Sequence, residues 1–137
     1  MVSLDRRVLI DSSIWIAYFD KDDSHTEHAK KILDELKSDA SILLLTDYVI
    51  QEVTTVLLYK NKPTLAEHFI EYLDDEPLIE IVSIDALLLR KTMQFAKTKN
   101  WRPKLSLTDW SLLFLADTLN LRLSTFDRQL NNAWRKI

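Results

Sequence analysis

Four acids stand out by their neighbours. Asp11 stops the apolar run Val8-Leu9-Ile10 and is followed by two hydroxyls, Ser12 and Ser13, before an apolar helical pattern begins. Asp127 repeats the arrangement after Leu121-Arg122-Leu123-Ser124-Thr125-Phe126. Each reads as an Asx helix N-cap, or as a group at the carboxyl end of a buried strand, where open α/β sheets bind ligands. Glu52 lies four after Tyr48, three after Val49 and four before Val56, a spacing that turns it into the apolar stripe of its helix. A carboxylate there is costly unless it is paired or ligates a metal; the plainer alternatives are a buried salt bridge or a stripe-edge glutamate reaching water. Asp109 stands three after Ser106, the spacing of a capping box. It also stands three before Leu112, four before Leu113 and seven before Ala116, on the inward face.

The elements around these acids alternate. Arg7–Ile10, Ser41–Thr46, Ile79–Ile84 and Leu121–Thr125 are short aliphatic runs of the kind that form strands covered on both faces. Between them the sequence predicts helices. One spans about Ser13–Phe19. A second opens on the capping box Ser24-His25-Thr26-Glu27 and runs to about Lys37. A third is capped by Asp47 and runs to about Lys60. A fourth starts at Pro63, a fifth is capped by Asp85, a sixth runs from Ser106 to Asn120, and a short seventh begins at Asp127. Trp134–Ile137 reads as a short edge strand. Strands alternating with helices give an α/β chain, a three-layer sandwich with a central, mainly parallel sheet of four or five strands flanked by helices. Residues 1–137 read as a single domain.

Composition narrows the function. The chain holds no cysteine and no glycine. A disulfide, a thiolate metal site and a Gly-rich phosphate loop are therefore excluded, and Asn61, Asn100 and Asn120 are expected to stop helices where glycine normally would. No apolar run is long enough for a membrane span, and the amino-terminal stretch 1–7 lacks the shape of a signal peptide; a cytoplasmic protein is expected. The net charge of −3 divides unevenly, −10 over residues 1–85 and +7 over residues 86–137. Between Ala86 and Thr108 there are six bases and no acid, a field able to hold a polyanion or simply a solvated helix face.

In a parallel sheet all strand ends of one kind share an edge. Asp11 and Asp127 follow strands, and Glu52 and Asp109 are placed in the first turns of helices approaching that edge. Four carboxylates converging there would repel one another and take up protons unless a cation were present. Mg²⁺ or Mn²⁺ accepts such oxygen ligands, together with waters and phosphates, and can activate water for attack on a phosphodiester.

At these residues the chain resembles the PIN-domain ribonucleases, in particular the VapC-type toxins of toxin–antitoxin pairs. The matching segments are Leu9-Ile10-Asp11-Ser12-Ser13 with Asp22-Asp23-Ser24-His25, Thr46–Val53, Leu105–Trp110 and Leu123–Arg128. The resemblance implies a PIN-like fold with Asp11, Glu52, Asp109 and Asp127 as catalytic and metal-binding acids, supported by Ser13 and Thr125. It further implies Mg²⁺ or Mn²⁺ as cofactor, single-stranded RNA as substrate, a homodimer and inhibition by a cognate antitoxin. Asn120 stands where relatives often have glycine, and the short carboxyl terminus suggests a vestigial last strand. Trp101, Arg102 and Lys104, in the loop before Asp109, and Arg128, beside Asp127, are expected to contact the substrate. The apolar helix Ile14–Phe19 is expected to carry the dimer contact. The histidines His25, His28 and His68 read as surface residues.

Two other sheet-edge chemistries fit less well. A receiver domain needs an acidic pair after strand one and a lysine after the last strand; Asp11-Ser12 supplies one acid, and no such lysine is evident. A haloacid-dehalogenase-type phosphatase needs Asp-x-Asp, and Ser13 stands where the second acid belongs. A non-toxin PIN nuclease, or a PIN-like module that binds without catalysis, keeps the same motifs.

Overall fold

Each aliphatic run forms a strand, and every strand pairs in parallel. The structure, a computed structural model, describes residues 6–137; residues 1–5, part of the stretch examined for a signal peptide, lie outside the described residues. In chain order the elements are β1 (Arg7–Ile10), α1 (Ser12–Phe19), α2 (Thr26–Ser38), β2 (Ile42–Thr46), α3 (Asp47–Tyr59), α4 (Pro63–Asp75), β3 (Ile79–Val82), α5 (Ala86–Thr98), α6 (Leu107–Leu119), β4 (Arg122–Ser124) and α7 (Arg128–Arg135). The sheet order is β3-β2-β1-β4, with Leu9 opposite Leu44 on one side and Leu123 on the other. Helices cover both faces, giving an α/β three-layer sandwich.

The central strands are buried because both their neighbours and both their faces are apolar. Leu9, Ile10, Leu43 and Leu45 are sealed from solvent and join Ile14 and Trp15 of α1, Val49, Val53 and Leu57 of α3, and Leu112 and Leu113 of α6 in one core. The edge strand β3 is less apolar outward, with Glu80 and Ile81 exposed, as befits a strand with one free side. Among the described residues no helix is long and apolar enough to cross a membrane.

Helix stops follow the expected logic. Asn61, Asn100 and Asn120 all adopt positive φ, at 59°, 57° and 53°, doing what glycine would do at no steric cost. Ala40 and Trp101 also lie there, at 54° and 56°, an uncommon place for a bulky ring.

Other expectations are corrected. Trp134 is in α7, so the edge strand at Trp134–Ile137 does not form and the sheet has four strands among the described residues. The Ser24 capping box does not form: α2 begins at Thr26, and Ser24 Oγ instead meets His25 Nδ1 at 3.2 Å. Thr46 rather than Asp47 caps α3, accepting from the Val49 N–H at 3.1 Å. Asp47 turns to the neighbouring strand end and accepts the Ile84 N–H at 3.0 Å. Helix α1 buries Ile14, Trp15 and Ala17, and its remaining apolar side chains pack against the core. Phe19 and Tyr18 join Phe69 and Tyr72 of α4 in an aromatic cluster. The helix expected to carry a dimer contact thus spends its apolar surface inside the chain.

At the end of α1 sits an acid that periodicity does not reveal. Asp20 is 2% exposed and accepts from Lys62 at 2.6 Å and Lys60 at 3.0 Å. The hydrogen bond from Lys62, with that from Lys60, outweighs burial and lowers its pKa to about 2. Its folded value lies below its unfolded one, so the stabilisation is present above about pH 4 and is lost as pH falls through the folded pKa. Asp20→Asn is therefore expected to cost about 2 kcal/mol at pH 6, a gap that closes as urea melts are repeated from pH 5 towards pH 2.

Candidate active site

Asp11 occupies the N-cap position of α1, yet its side chain makes no capping hydrogen bond. Its carboxylate is 3% exposed and is met by hydroxyls instead. Thr125 Oγ1 donates to Oδ2 at 2.7 Å, Ser13 Oγ to the same oxygen at 2.9 Å, and Ser12 Oγ approaches Oδ1 at 3.3 Å. The N-cap reading of Asp11 therefore fails. Neutral donors satisfy Oδ2 but leave the charge uncompensated.

Strand order brings in the other acids. The central strand β1 lies between β2 and β4, so their carboxyl ends stand side by side. The Asp11 N–H reaches across to the Ser124 carbonyl at 3.0 Å, which ties β1 to the β4–α7 turn. In that turn the Phe126 N–H donates to Ser13 Oγ and the Asp127 N–H to Thr125 Oγ1, both at 3.0 Å. Asp127 Oδ1 caps α7 by accepting from the N–H groups of Gln129 and Leu130. Asp127 is thus a cap, and its charge is also felt by Asp109.

Glu52 lies in the second turn of α3, one turn further along than expected, and is half-buried. Among the described residues it forms no salt bridge, which removes the ion-pair alternative. Ser12 Oγ donates to Glu52 Oε1. Ser12 was not singled out in the sequence, although its position between Asp11 and Ser13 was the available signal; it links Asp11 to Glu52.

Asp109 sits in the first turn of α6. Its N–H, rather than its carboxylate, serves the cap by donating to Ser106 Oγ at 3.1 Å. Burial first, then the negative charges of Asp11, Glu52 and Asp127, push the Asp109 pKa up to about 7. Asp109 therefore feels the charge of the other three acids at one edge of the sheet. Among the described residues no three His, Asp or Glu side chains stand close enough to form a ready-made metal cage. The donor set still fits a hard divalent cation: it is all oxygen and its charges are mutually unfavourable without a counter-charge. Mg²⁺ characteristically keeps several waters and uses only one or two carboxylates directly.

Sequence reasoning also passed over the histidine side of the site. The ring of His25 stacks on Phe126 at 4.9 Å and 28°, and His28 lies at 5.1 Å. These are surface residues, as expected, but they hold the residue between Thr125 and Asp127. His68 is exposed on α4. Of the expected substrate contacts, Arg102, Lys104 and Arg128 are exposed and, among the described residues, enter no salt bridge. The Trp101 ring is 48% exposed rather than packed in the core.

Comparison with known proteins agrees with this fold. The family model described as PIN domain matches residues 8–135. A VapC ribonuclease of Archaeoglobus fulgidus is 25% identical over 124 residues, covering 90% of this chain and 78% of its own. In structure the chain is similar to Mycobacterium tuberculosis VapC20, described as a sarcin-ricin loop cleaving toxin, with a TM-score of 0.78, 16% identity and 92% and 94% of the two chains covered. It is also similar to FitAcB of Neisseria gonorrhoeae, with a TM-score of 0.65, 18% identity and 93% of each chain covered.

The charge on the edge has a measurable consequence. The folded pKa of Asp109 lies above its unfolded value, so the folded state holds the proton more tightly. Stability is then expected to fall as pH rises from about 4 to about 7 in metal-free buffer. Asp109→Asn removes the titration and is expected to exceed wild type by roughly 1–2 kcal/mol at pH 8, discounted for partial exposure, and to match it near pH 4. Urea melts of both proteins across that range check this; a flat wild-type profile contradicts it.

Proposed function

The chain belongs to the PIN-domain family, and from that premise we propose that it is a metal-dependent endoribonuclease of the VapC type, hydrolysing a phosphodiester of single-stranded RNA as the toxin of a toxin–antitoxin pair. The observation that carries this reading is the coupling of Asp109 to Asp11, Glu52 and Asp127. Four carboxylates that, among the described residues, form no salt bridge make sense where a cation completes the site. The archaeal relative is a VapC ribonuclease and the mycobacterial neighbour a toxin that cleaves the sarcin-ricin loop, which supports RNA as the substrate.

In this reading Asp11, Glu52, Asp109 and Asp127 would hold Mg²⁺ or Mn²⁺, one or two of them directly and the others through water, and the ion would supply a Lewis acid and an activated water for attack on the phosphodiester. Ser13 and Thr125 fix the carboxylate of Asp11, and Ser12 fixes that of Glu52 relative to it. An acidic edge repels RNA, so the grip comes from elsewhere. Arg102, Lys104 and Arg128 are exposed cations near the ends of α6 and α7. Trp101 is held at a φ of 56°, a conformation that costs a bulky residue and persists where the surroundings or the function demand it, and it offers a stacking face. The protein acts in the cytoplasm, as a homodimer, and is silenced by a cognate antitoxin.

Chelation tests the catalytic part. EDTA is expected to abolish cleavage of single-stranded RNA and added Mn²⁺ to restore it; full activity in chelator would sink the reading. The substrate path is tested separately. Arg102→Ala with Lys104→Ala is expected to weaken RNA binding and flatten its dependence on salt, because fewer counterions are released, with metal binding retained. Asp11→Asn is expected to do the reverse, keeping RNA binding and losing cleavage. Affinities at two salt concentrations decide the point, and identical slopes for wild type and the double variant remove the loop from the path.

A further inference from the structure

Beside the acidic edge, α3 and the start of α6 line an open, shallow hollow of about 450 Å³. Glu52 forms one wall; the others are Tyr48, Gln51, Thr55 and Val56 of α3 with Leu107 and Thr108 of α6. We propose that this hollow is a nucleobase pocket, which takes the unpaired base of a nucleotide adjoining the phosphodiester presented to the acids. The placement of that phosphodiester rests on the ribonuclease reading above; the chemistry of the hollow does not.

The lining selects among ligands. Its only formal charge is negative, so a phosphate or an acidic peptide is repelled, and no lysine, arginine or histidine lines it. Its surface is mostly apolar, including Leu107, which is 38% exposed at the start of a helix whose following turns are buried. Tyr48 adds an aromatic ring. Gln51 brings an amide with both donors and an acceptor, and Thr55 and Thr108 bring hydroxyls that do either. Among the described residues none of these three side chains spends a hydrogen bond on the rest of the chain, whereas the neighbouring Thr54 returns its hydroxyl to the Ile50 carbonyl. A flat apolar face edged with both donors and acceptors describes an unstacked base, which is how single-stranded RNA is read.

Position favours the same ligand. Glu52 belongs to the hollow and to the acid cluster at once. Through Ser12 it is one side chain from Asp11. Bases in a splayed strand lie one sugar away from the phosphates that join them. A strand laid along the acids therefore brings a base to this hollow at Glu52, which the two share.

The test uses the full chain and four non-cleavable 2′-O-methyl tetranucleotides, one for each base, followed by nuclear magnetic resonance. At least one is expected to shift the Gln51 side-chain amide and the Leu107 methyl signals, and its abasic counterpart to leave them in place. Gln51→Ala combined with Leu107→Ala is expected to bind that oligonucleotide about tenfold more weakly, the scale of one lost base contact. Both positions are exposed and alanine favours helix, and an unchanged circular dichroism spectrum establishes that the variant folds. Cleavage of RNA in Mg²⁺ is scored independently. Cleavage by wild type with no oligonucleotide reaching Gln51, Thr55, Leu107 or Thr108 overturns the pocket and leaves the nuclease reading standing. Shifts in the pocket without cleavage support the pocket and count against hydrolysis.

Discussion

A buried carboxylate satisfied by hydroxyls instead of by cations governs the carboxyl edge of this sheet. The contrast within α1 makes the point. Asp11 precedes its first residue and Asp20 follows its last, and both are almost wholly buried. Asp20 is met by two lysines, and its charge contributes to stability. Asp11 is met by the hydroxyls of Ser12, Ser13 and Thr125, and its charge adds to those of Glu52 and Asp127 in acting on Asp109. Selection for stability alone has an available solution at the far end of the same helix. At the near end that solution is absent, and the raised pKa of Asp109 is the physical record of it.

Topology decides which acids take part. With β1 in the interior of the sheet, the ends of β1, β2 and β4 are neighbours, while β3 lies outside β2. Asp85 follows the β3 segment much as Asp11 follows β1, yet it only caps α5, accepting from the Leu88 N–H at 2.8 Å. Asp47, at the end of β2, is drawn away to the Ile84 N–H. Thus two acids with local sequence settings much like those of Asp11 and Asp127 end up as purely structural groups. Strand order sets Asp85 apart and the Ile84 N–H claims Asp47, and no short motif contains either.

This explains what could be read from residues alone. The alternation of aliphatic runs with helical periods located all four strands to within a residue or two, because buried parallel strands have no polar face to confuse the pattern. The absence of glycine made the asparagine stops legible in the same way. Local hydrogen-bonding choices were not legible. Ser24 and Thr46 both precede helices with capping-type spacing, and the outcome turned on whether a competing partner lay nearby: His25 for one, none for the other. The carboxyl-terminal segment was read as a strand from Trp134, but α7 continues through it, with Ala133 and Trp134 packed on the core. Ser12 and Asp20 were missed for a shared reason: their partners lie 40 or more residues away, beyond the reach of any periodicity.

The opposition between cap and functional acid also dissolves on inspection. A helix N-terminus is a place where backbone N–H groups favour a negative charge, and a capping carboxylate has two oxygens. Asp127 commits Oδ1 to Gln129 and Leu130, and among the described residues Oδ2 enters no hydrogen bond. One oxygen fixes the side chain rigidly, which leaves the other in a defined position with its share of the charge. Ser106 does the equivalent for Asp109 by accepting its backbone N–H. Capping is therefore the means by which these helices hold acids still against their mutual repulsion. Asp11, whose side chain caps nothing, is held instead by the hydroxyls of Ser13 and Thr125.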